Sequence, residues 1–167
     1  MSFHIQPITQ LEPDLCESLS QLLIDVVEDG ASIGFLPPLR YEEALAYWND
    51  VLSPSVLLWV AYLQEEPVGT IQLHLCERSN GSHRAEIAKL MVHPTARRRG
   101  IAQALMSTAE ENARIEGRST LVLDTRAGDP SNTLYLSFGY VEAGRIPQYA
   151  RSADGNLHDT VFYYKLL

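Results

Sequence analysis

Cysteine is scarce in this chain: 167 residues include only Cys16 and Cys76, far apart and in no metal-binding or redox spacing. That argues against a disulfide framework and fits buried free thiols in a reducing cytoplasm, the location we expect. Nothing around either cysteine in the sequence suggests an activating partner, so a catalytic thiol is not expected. Long apolar runs are missing as well. The longest, Val56 to Leu63, is far too short to span a bilayer. The start, Met1-Ser2-Phe3-His4-Ile5, lacks the charged and then apolar pattern of a signal peptide. Without an export signal, the sequon-like Asn80-Gly81-Ser82 reads as a turn. Basic residues are few, 13 Lys and Arg against 21 Asp and Glu, for a formal net charge of −8. Such a surface should repel nucleic acid and anionic membrane, and mildly attract cationic ligands. No histidine and carboxylate spacing suggests a metal site.

What is present describes one folded domain over residues 1–167, with 46% hydrophobic and 20% charged residues. Phe3 to Ile8 reads as a strand. Leu15, Leu19, Leu22, Leu23, Val26 and Val27 recur at helical spacing from Asp14 to Asp29, before the stop at Gly30. Tyr41 to Asn49 fits a second helix. Val56–Tyr62 and Val68–Leu73 read as a hairpin turning at Glu65-Glu66-Pro67, and Arg84 to Val92 as a strand after the Asn80-Gly81 turn. A helix opens after Gly100, with Ile101, Leu105, Ala109 and Ala113 on one face, and leads to a strand over Thr120–Asp124. A short helix follows over Pro130–Phe138, and closing strands over Arg145–Ala150 and Thr160–Leu167 flank the Asp154-Gly155 turn. Arg84 to Asp124 is therefore strand–helix–strand, a parallel crossover in an otherwise mainly antiparallel sheet.

The most informative stretch is Arg97-Arg98-Arg99-Gly100-Ile101-Ala102, between the apolar segment Lys89-Leu90-Met91-Val92 with its His93-Pro94 turn and the helix beginning Gln103-Ala104-Leu105. Strand, basic turn, glycine and helix start together make an anion site. Free N–H groups at a helix N-terminus favour a phosphate, and a glycine lets it approach the backbone. The competing reading is a solvated turn. A triphosphatase phosphate loop is excluded because the Gly-Lys-Ser/Thr ending is absent. A dinucleotide fold would need three spaced glycines, and one is present.

The pattern Arg-x-x-Gly-x-Ala, preceded by Leu90-Met91-Val92-His93-Pro94, resembles the acetyl-CoA-binding motif of the GNAT superfamily of N-acetyltransferases. The resemblance is strongest from Arg84 to Tyr140. Gly30–Phe35, Leu57–Val60, Arg84-Ala85-Glu86, Leu123-Asp124-Thr125 and Asp154–His158 further resemble the tabtoxin-resistance acetyltransferase group. The resemblance implies a single α/β domain: a mixed, mainly antiparallel sheet with flanking helices, in which the two parallel strands splay to admit the pantetheine arm. It implies acetyl-CoA as co-substrate, its pyrophosphate on the backbone of Arg98 through Gln103, with the Arg97, Arg98 and Arg99 guanidinium groups neutralising charge and Gly100, Ile101 and Ala102 in the contact. The arm would pair with Leu90, Met91 and Val92, and the Val92 N–H would polarise the thioester carbonyl.

Tyr135, in Leu134-Tyr135-Leu136-Ser137-Phe138-Gly139-Tyr140, matches the family's tyrosine general acid; the plainer reading is a core aromatic. Glu86 and Asp124 are the base candidates. A carboxylate inside a mostly apolar strand needs a reason, because an unpaired buried charge is costly. A salt bridge to Arg84, Lys89 or Arg126 is the competing explanation for each. His93 reads as structural and His158 as a possible pocket residue, with His74 and His83 weaker. Gly30–Phe35, Arg40, Trp48 and Tyr149–His158 are candidate acceptor walls by family position. The chain also departs from the family. Its usual asparagine seven residues before the tyrosine is Gly128 here, which leaves Asn132, displaced within the same segment, as the candidate for that cofactor contact, and the second glycine of the motif is Ala102. The expected activity is acetyl transfer to a small-molecule amine, amino-acid-like or a β-lactam toxin, by a monomer or homodimer. The alternatives are a protein or peptide N-acetyltransferase and a non-catalytic acyl-CoA sensor.

Overall fold

Side-chain alternation sorts the strand residues into two apolar sets, one for each face of a single sheet. The computed structural model describes residues 2–167. Its strands are β1 (Phe3–Ile8), β2 (Val56–Leu63), β3 (Glu66–Leu75), β4 (Arg84–Val92), β5 (Thr120–Arg126), β6 (Val141–Arg151) and β7 (Leu157–Leu166). They lie in the order β1-β2-β3-β4-β5-β7-β6, antiparallel throughout except for β4 beside β5. The helices are α1 (Pro13–Glu28), α2 (Tyr41–Asn49), α3 (Ile101–Ile115) and α4 (Ser131–Ser137).

Ile71, Leu73, Ala85, Ile87, Leu121 and Leu123 point from the sheet to α3 and α4, where they meet Ile101, Leu105, Met106, Ala109 and Tyr135. Leu58, Val60 and Met91 point to the opposite face and meet Leu19, Leu22, Leu23, Val26 and Trp48 of α1 and α2. Proline at the first helical position starts α1 without losing a needed N–H. The Trp48 indole N–H donates to the Leu19 carbonyl at 2.9 Å and locks α2 onto α1. Trp48 is thus fully buried core and not a wall of an acceptor pocket.

The remaining departures from the sequence reading are local. The β2–β3 turn is made by Gln64 and Glu65, both at positive φ (50° and 67°), and Glu66 and Pro67 already belong to β3. Pro67 is accommodated where a bulge shifts the register between Ala61 and Tyr62. Ser79–Gly81 forms a single 3₁₀ turn. Strand β5 runs on to Arg126, and β6 and β7 begin at Val141 and Leu157, so the closing hairpin is longer than its apolar pattern suggests.

Helix α3 sits tightly on the sheet where Gly69 meets it. A Cβ at Gly69 would lie 3.0 Å from the Met91 carbonyl oxygen, 3.3 Å from Leu105 Cδ1 and 3.4 Å from Ile101 Cγ2. Gly69→Ala should therefore destabilise the fold by about 1–3 kcal/mol through overpacking. Urea unfolding measures this, and a midpoint equal to the parent's would contradict so close a fit.

Candidate active site

Strands β4 and β5 pair only through Arg84–Thr120, Ala85–Leu121 and Glu86–Val122. A bulge in β4 accompanies the parting. Thr70 of β3 faces Met91 and Gln72 faces Ala88, so Lys89 and Leu90 together stand against Ile71. Lys89 takes a φ of 52°, and its carbonyl accepts the Thr70 hydroxyl at 2.9 Å. From Ile87 to Val92 the β4 edge facing β5 has no strand partner, so its peptide groups are open to an extended ligand. Leu90 and Val92 are half-buried along this edge, and Met91 is buried in the α1–α2 core.

At the far end of that edge lies an open cleft of about 390 Å³, bordered by Val92, Arg97, Arg98, Gly100, Ala102 and Gln103 among others. Gly100, at a φ of 81°, begins α3 without any side-chain cap. The first backbone bond closing the helix runs from the Ala104 N–H to the Gly100 carbonyl, leaving the Ile101, Ala102 and Gln103 N–H groups for a ligand. Arg98 also stands at positive φ, 61°. Left-handed residues just ahead of a helix turn successive N–H groups to one side, which makes an anion-binding concavity.

The arginines are not equivalent. Arg97 donates from Nη1 to Asp29 Oδ2 at 2.7 Å and from Nε toward the Val92 carbonyl at 3.4 Å. Arg98 and Arg99 are exposed and take part in none of the seven ion pairs among the described residues. The neighbouring turn is tied to the same helix end, with His93 Nε2 3.1 Å from Asp25 Oδ2 and His93 Nδ1 2.8 Å from Thr95 Oγ1. Asp25 and Asp29 were missed by sequence reasoning, since only folding brings them to residues 68 positions away.

Glu86 and Asp124 flank the point of parting on the α1–α2 face, and both side chains are exposed. The expectation of carboxylates buried within apolar strands is therefore corrected, and no ion pair to Arg84, Lys89 or Arg126 explains them. Arg126 is engaged elsewhere: it meets Asp129 at 2.9 Å, Ser152 Oγ at 2.9 Å and the Gly30 carbonyl at 2.9 Å. Asp124 Oδ2 accepts the Thr160 hydroxyl at 2.8 Å, a partner no local motif announced. Desolvation by the surrounding chain and the like charge of Asp124 push Glu86 above its ordinary value, against the pull of Lys89. Beside Glu86, His74 Nε2 meets Gln72 Oε1 at 2.8 Å, and Gln72 Nε2 donates to the Tyr47 hydroxyl at 2.8 Å. Burial, then Lys89, push the His74 imidazole down, which favours its neutral form.

Tyr135 lies on the opposite face, 6% exposed, with its ring 6.0 Å from those of Tyr140 and Tyr163. Both neighbours have committed hydroxyls: Tyr140 donates to Glu110 Oε2 at 3.2 Å, and Tyr163 to Asn132 Oδ1 at 2.7 Å. The Tyr135 hydroxyl has no partner among the described residues, yet the only fully buried side-chain nitrogen or oxygen left unpaired among them is Arg118 Nε, so this hydroxyl reaches solvent. Burial first, then the charge of Asp124, hold the phenol protonated well beyond neutral pH. Asn132 spends its amide on the β5–α4 turn, donating to the carbonyls of Arg126 (3.0 Å) and Asp129 (2.9 Å). Cys76, expected as a buried thiol with no activating partner, is only half-buried and has Arg84 Nη2 at 3.3 Å. Arg40 pairs only with Glu43 on an exposed helix start, and His158 Nδ1 contacts Ser152 Oγ at 2.5 Å beneath the β6–β7 turn.

An open cleft at an uncapped helix start, an unpaired strand edge beside it, and Glu86, Asp124 and Tyr135 around the point of parting thus lie along one gap in the sheet. The profile of the acetyltransferase (GNAT) family matches residues 17–140, and the chain belongs to that family. It is 34% identical over 116 residues to an uncharacterized N-acetyltransferase of Azospirillum brasilense, covering 68% of this chain and 67% of that one. Human N-acetyltransferase 8B is 36% identical over 112 residues, 65% of this chain but 48% of the human protein, so the chain spans about half of that relative. A solved structure from Salmonella typhimurium, described as an acetyltransferase with its cofactor acetyl-CoA, shares the fold at a TM-score of 0.80 and 18% identity, over 99% of this chain and 94% of that one. The single mixed sheet with one splayed parallel pair is the GNAT fold. No helix of the described residues is long and apolar enough to cross a membrane.

The shared field of the two carboxylates can be tested directly. Asp124→Asn removes one of the causes that raise Glu86, so the Glu86 midpoint should fall toward the ordinary glutamate range. Its carboxylate then survives to lower pH than in the parent. Carbon-detected NMR titration reads the midpoint, and an unmoved value would show that the two groups do not sense each other.

Proposed function

We propose that this protein transfers the acetyl group of acetyl-CoA to the amine of a small molecule. The observation that carries the reading is the gap between β4 and β5, with the uncapped start of α3 at one end and Glu86, Asp124 and Tyr135 around the other. The residues present fit the coenzyme: three free helix N–H groups and the exposed Arg98 and Arg99 suit a pyrophosphate, and the unpartnered β4 edge suits an amide-bearing arm. Arg97, held by Asp29, would shape the cleft as well as add charge. With its amide committed within the chain, Asn132 would support Tyr163 and the β5–α4 turn in preference to the coenzyme.

When bound, acetyl-CoA supplies an activated thioester. In this reading Glu86 and Asp124 orient the incoming ammonium and take its proton, directly or across one water. The Tyr135 hydroxyl, protonated and uncommitted, gives a proton to the departing sulfur. A backbone N–H at Val92 stabilises charge on the carbonyl oxygen, an effect commonly worth about 3–4 kcal/mol. The segments that resemble the tabtoxin-resistance group support an amino-acid-like or β-lactam acceptor.

Two substitutions test the proposal. Tyr135→Phe should lower kcat by about 10²–10⁴-fold with coenzyme A affinity retained. A parent-like rate would return Tyr135 to the role of a packed aromatic. Gly100→Glu sets a carboxylate in the anion cleft and a side chain at a φ of 81°. Coenzyme A affinity by calorimetry should fall at least about tenfold, and retained affinity in folded protein would contradict the anion site. Tight coenzyme binding without turnover across an amine panel would support the sensor alternative.

A further inference from the structure

Lys89 is a cation beside Glu86 and Asp124 that the proposed chemistry leaves unused. It stands at the β4 bulge with a φ of 52°, a left-handed conformation that a non-glycine residue adopts only where the surrounding fold holds it. Its side chain is half-buried on the α1–α2 face, near Glu86 and Asp124, and reaches the Gly30–Phe35 segment. Lys89 Nζ lies 3.7 Å from where a Cβ at Gly34 would be. The ammonium has three N–H donors. None of them finds a hydrogen-bond acceptor among the described residues, and none of the seven ion pairs includes Lys89. Gly34, at a φ of 95°, contributes no side chain to cover it. A partly desolvated cation with its donors unspent is costly unless water or a ligand satisfies them.

The other cations nearby are not comparable. Arg126 is committed to Asp129, Ser152 and Gly30, and Arg97 to Asp29. His74 is pushed toward its neutral form. The acceptor side of the gap thus presents two carboxylates and one uncommitted ammonium. Two anions suit the acceptor's amine, and the ammonium suits a group of opposite charge on the same molecule.

From this arrangement we propose that Lys89 selects the acceptor by pairing with a carboxylate that the acceptor carries close to its reacting amine. The inference rests on the acetyltransferase reading and narrows its substrate class to amines bearing a carboxylate. Lys89 would act in acceptor binding, and the proton transfers would remain with the carboxylates and Tyr135.

The test uses full-length protein, acetyl-CoA and matched acceptors: a panel of α-amino acids, and the primary amides of the same compounds. The parent should prefer the acids. Lys89→Met should reduce that acid-to-amide preference in kcat/KM by about 10–100-fold, the worth of one charge-assisted hydrogen bond. The loss should fall mainly on KM for the acids, and Lys89→Arg should restore most of the preference. Unchanged coenzyme A affinity by calorimetry certifies that each variant retains its site. If Lys89→Met depresses acids and amides equally, the lysine merely balances the two carboxylates, and the inference is overturned. Equal use of acids and amides by the parent overturns it too, while leaving acetyl transfer intact. Turnover of no amine by a parent that binds acetyl-CoA overturns both readings together.

Discussion

Two parallel strands that pair for three residues and then part leave a row of peptide groups without partners in the middle of a sheet. Such groups are expensive to bury unsatisfied, so a fold that keeps them must either flood them with water or offer them to a ligand. Here the parting is built in from the β4 side. Lys89 and Leu90 share one position opposite Ile71, and Thr70 fastens the bulge through the Lys89 carbonyl. The start of α3, the carboxylates and Tyr135 all take their relation to one another from that opening. Closing it by continued pairing would leave an intact sheet and no site.

The end of α1 stabilises the opening from outside. Asp29 holds Arg97, Asp25 faces His93, and the Gly30 carbonyl accepts Arg126 of β5. One helix terminus thereby contacts the anion turn on one side of the gap and the far parallel strand on the other. The exposed ion pair contributes little to overall stability, about 0–1 kcal/mol. What it does show is that the last turn of α1 meets the turn before α3. On the opposite face, Glu110 receives Lys165 at 2.7 Å and Tyr140 at 3.2 Å, which pins the residues packed against Tyr135.

Much of this was legible in residue order because local rules and tertiary packing agree. Helix α2 and strand β1 fall within the bounds their periodicity suggests, and the α3 face of Ile101, Leu105, Ala109 and Ala113 is the face it buries. The start of α3 at Gly100 was legible too, since a glycine at the head of an apolar 3.6-residue repeat marks a helix boundary, and it stands there at a φ of 81°. The β2–β3 turn did not, because Gln64 and Glu65 adopt positive φ without the glycine or asparagine that usually marks it, and Pro67 drew the turn toward itself. Lys89 is illegible for a related reason: an apolar run broken by one lysine reads as plain strand, and only the register with β3 reveals the bulge. Carboxylate exposure and the Asp25 and Asp29 contacts depend on distant segments, which no local pattern encodes.

Amide NMR with coenzyme A titrated into labelled protein addresses the central claim most directly, because it reports which peptide groups meet the ligand. If the coenzyme lies along the strand gap with its pyrophosphate on α3, the largest shifts should fall on Val92 and on Arg98 through Gln103, and should extend along the open β4 edge. Saturable shifts confined to other surfaces, with those amides unmoved, would contradict the account.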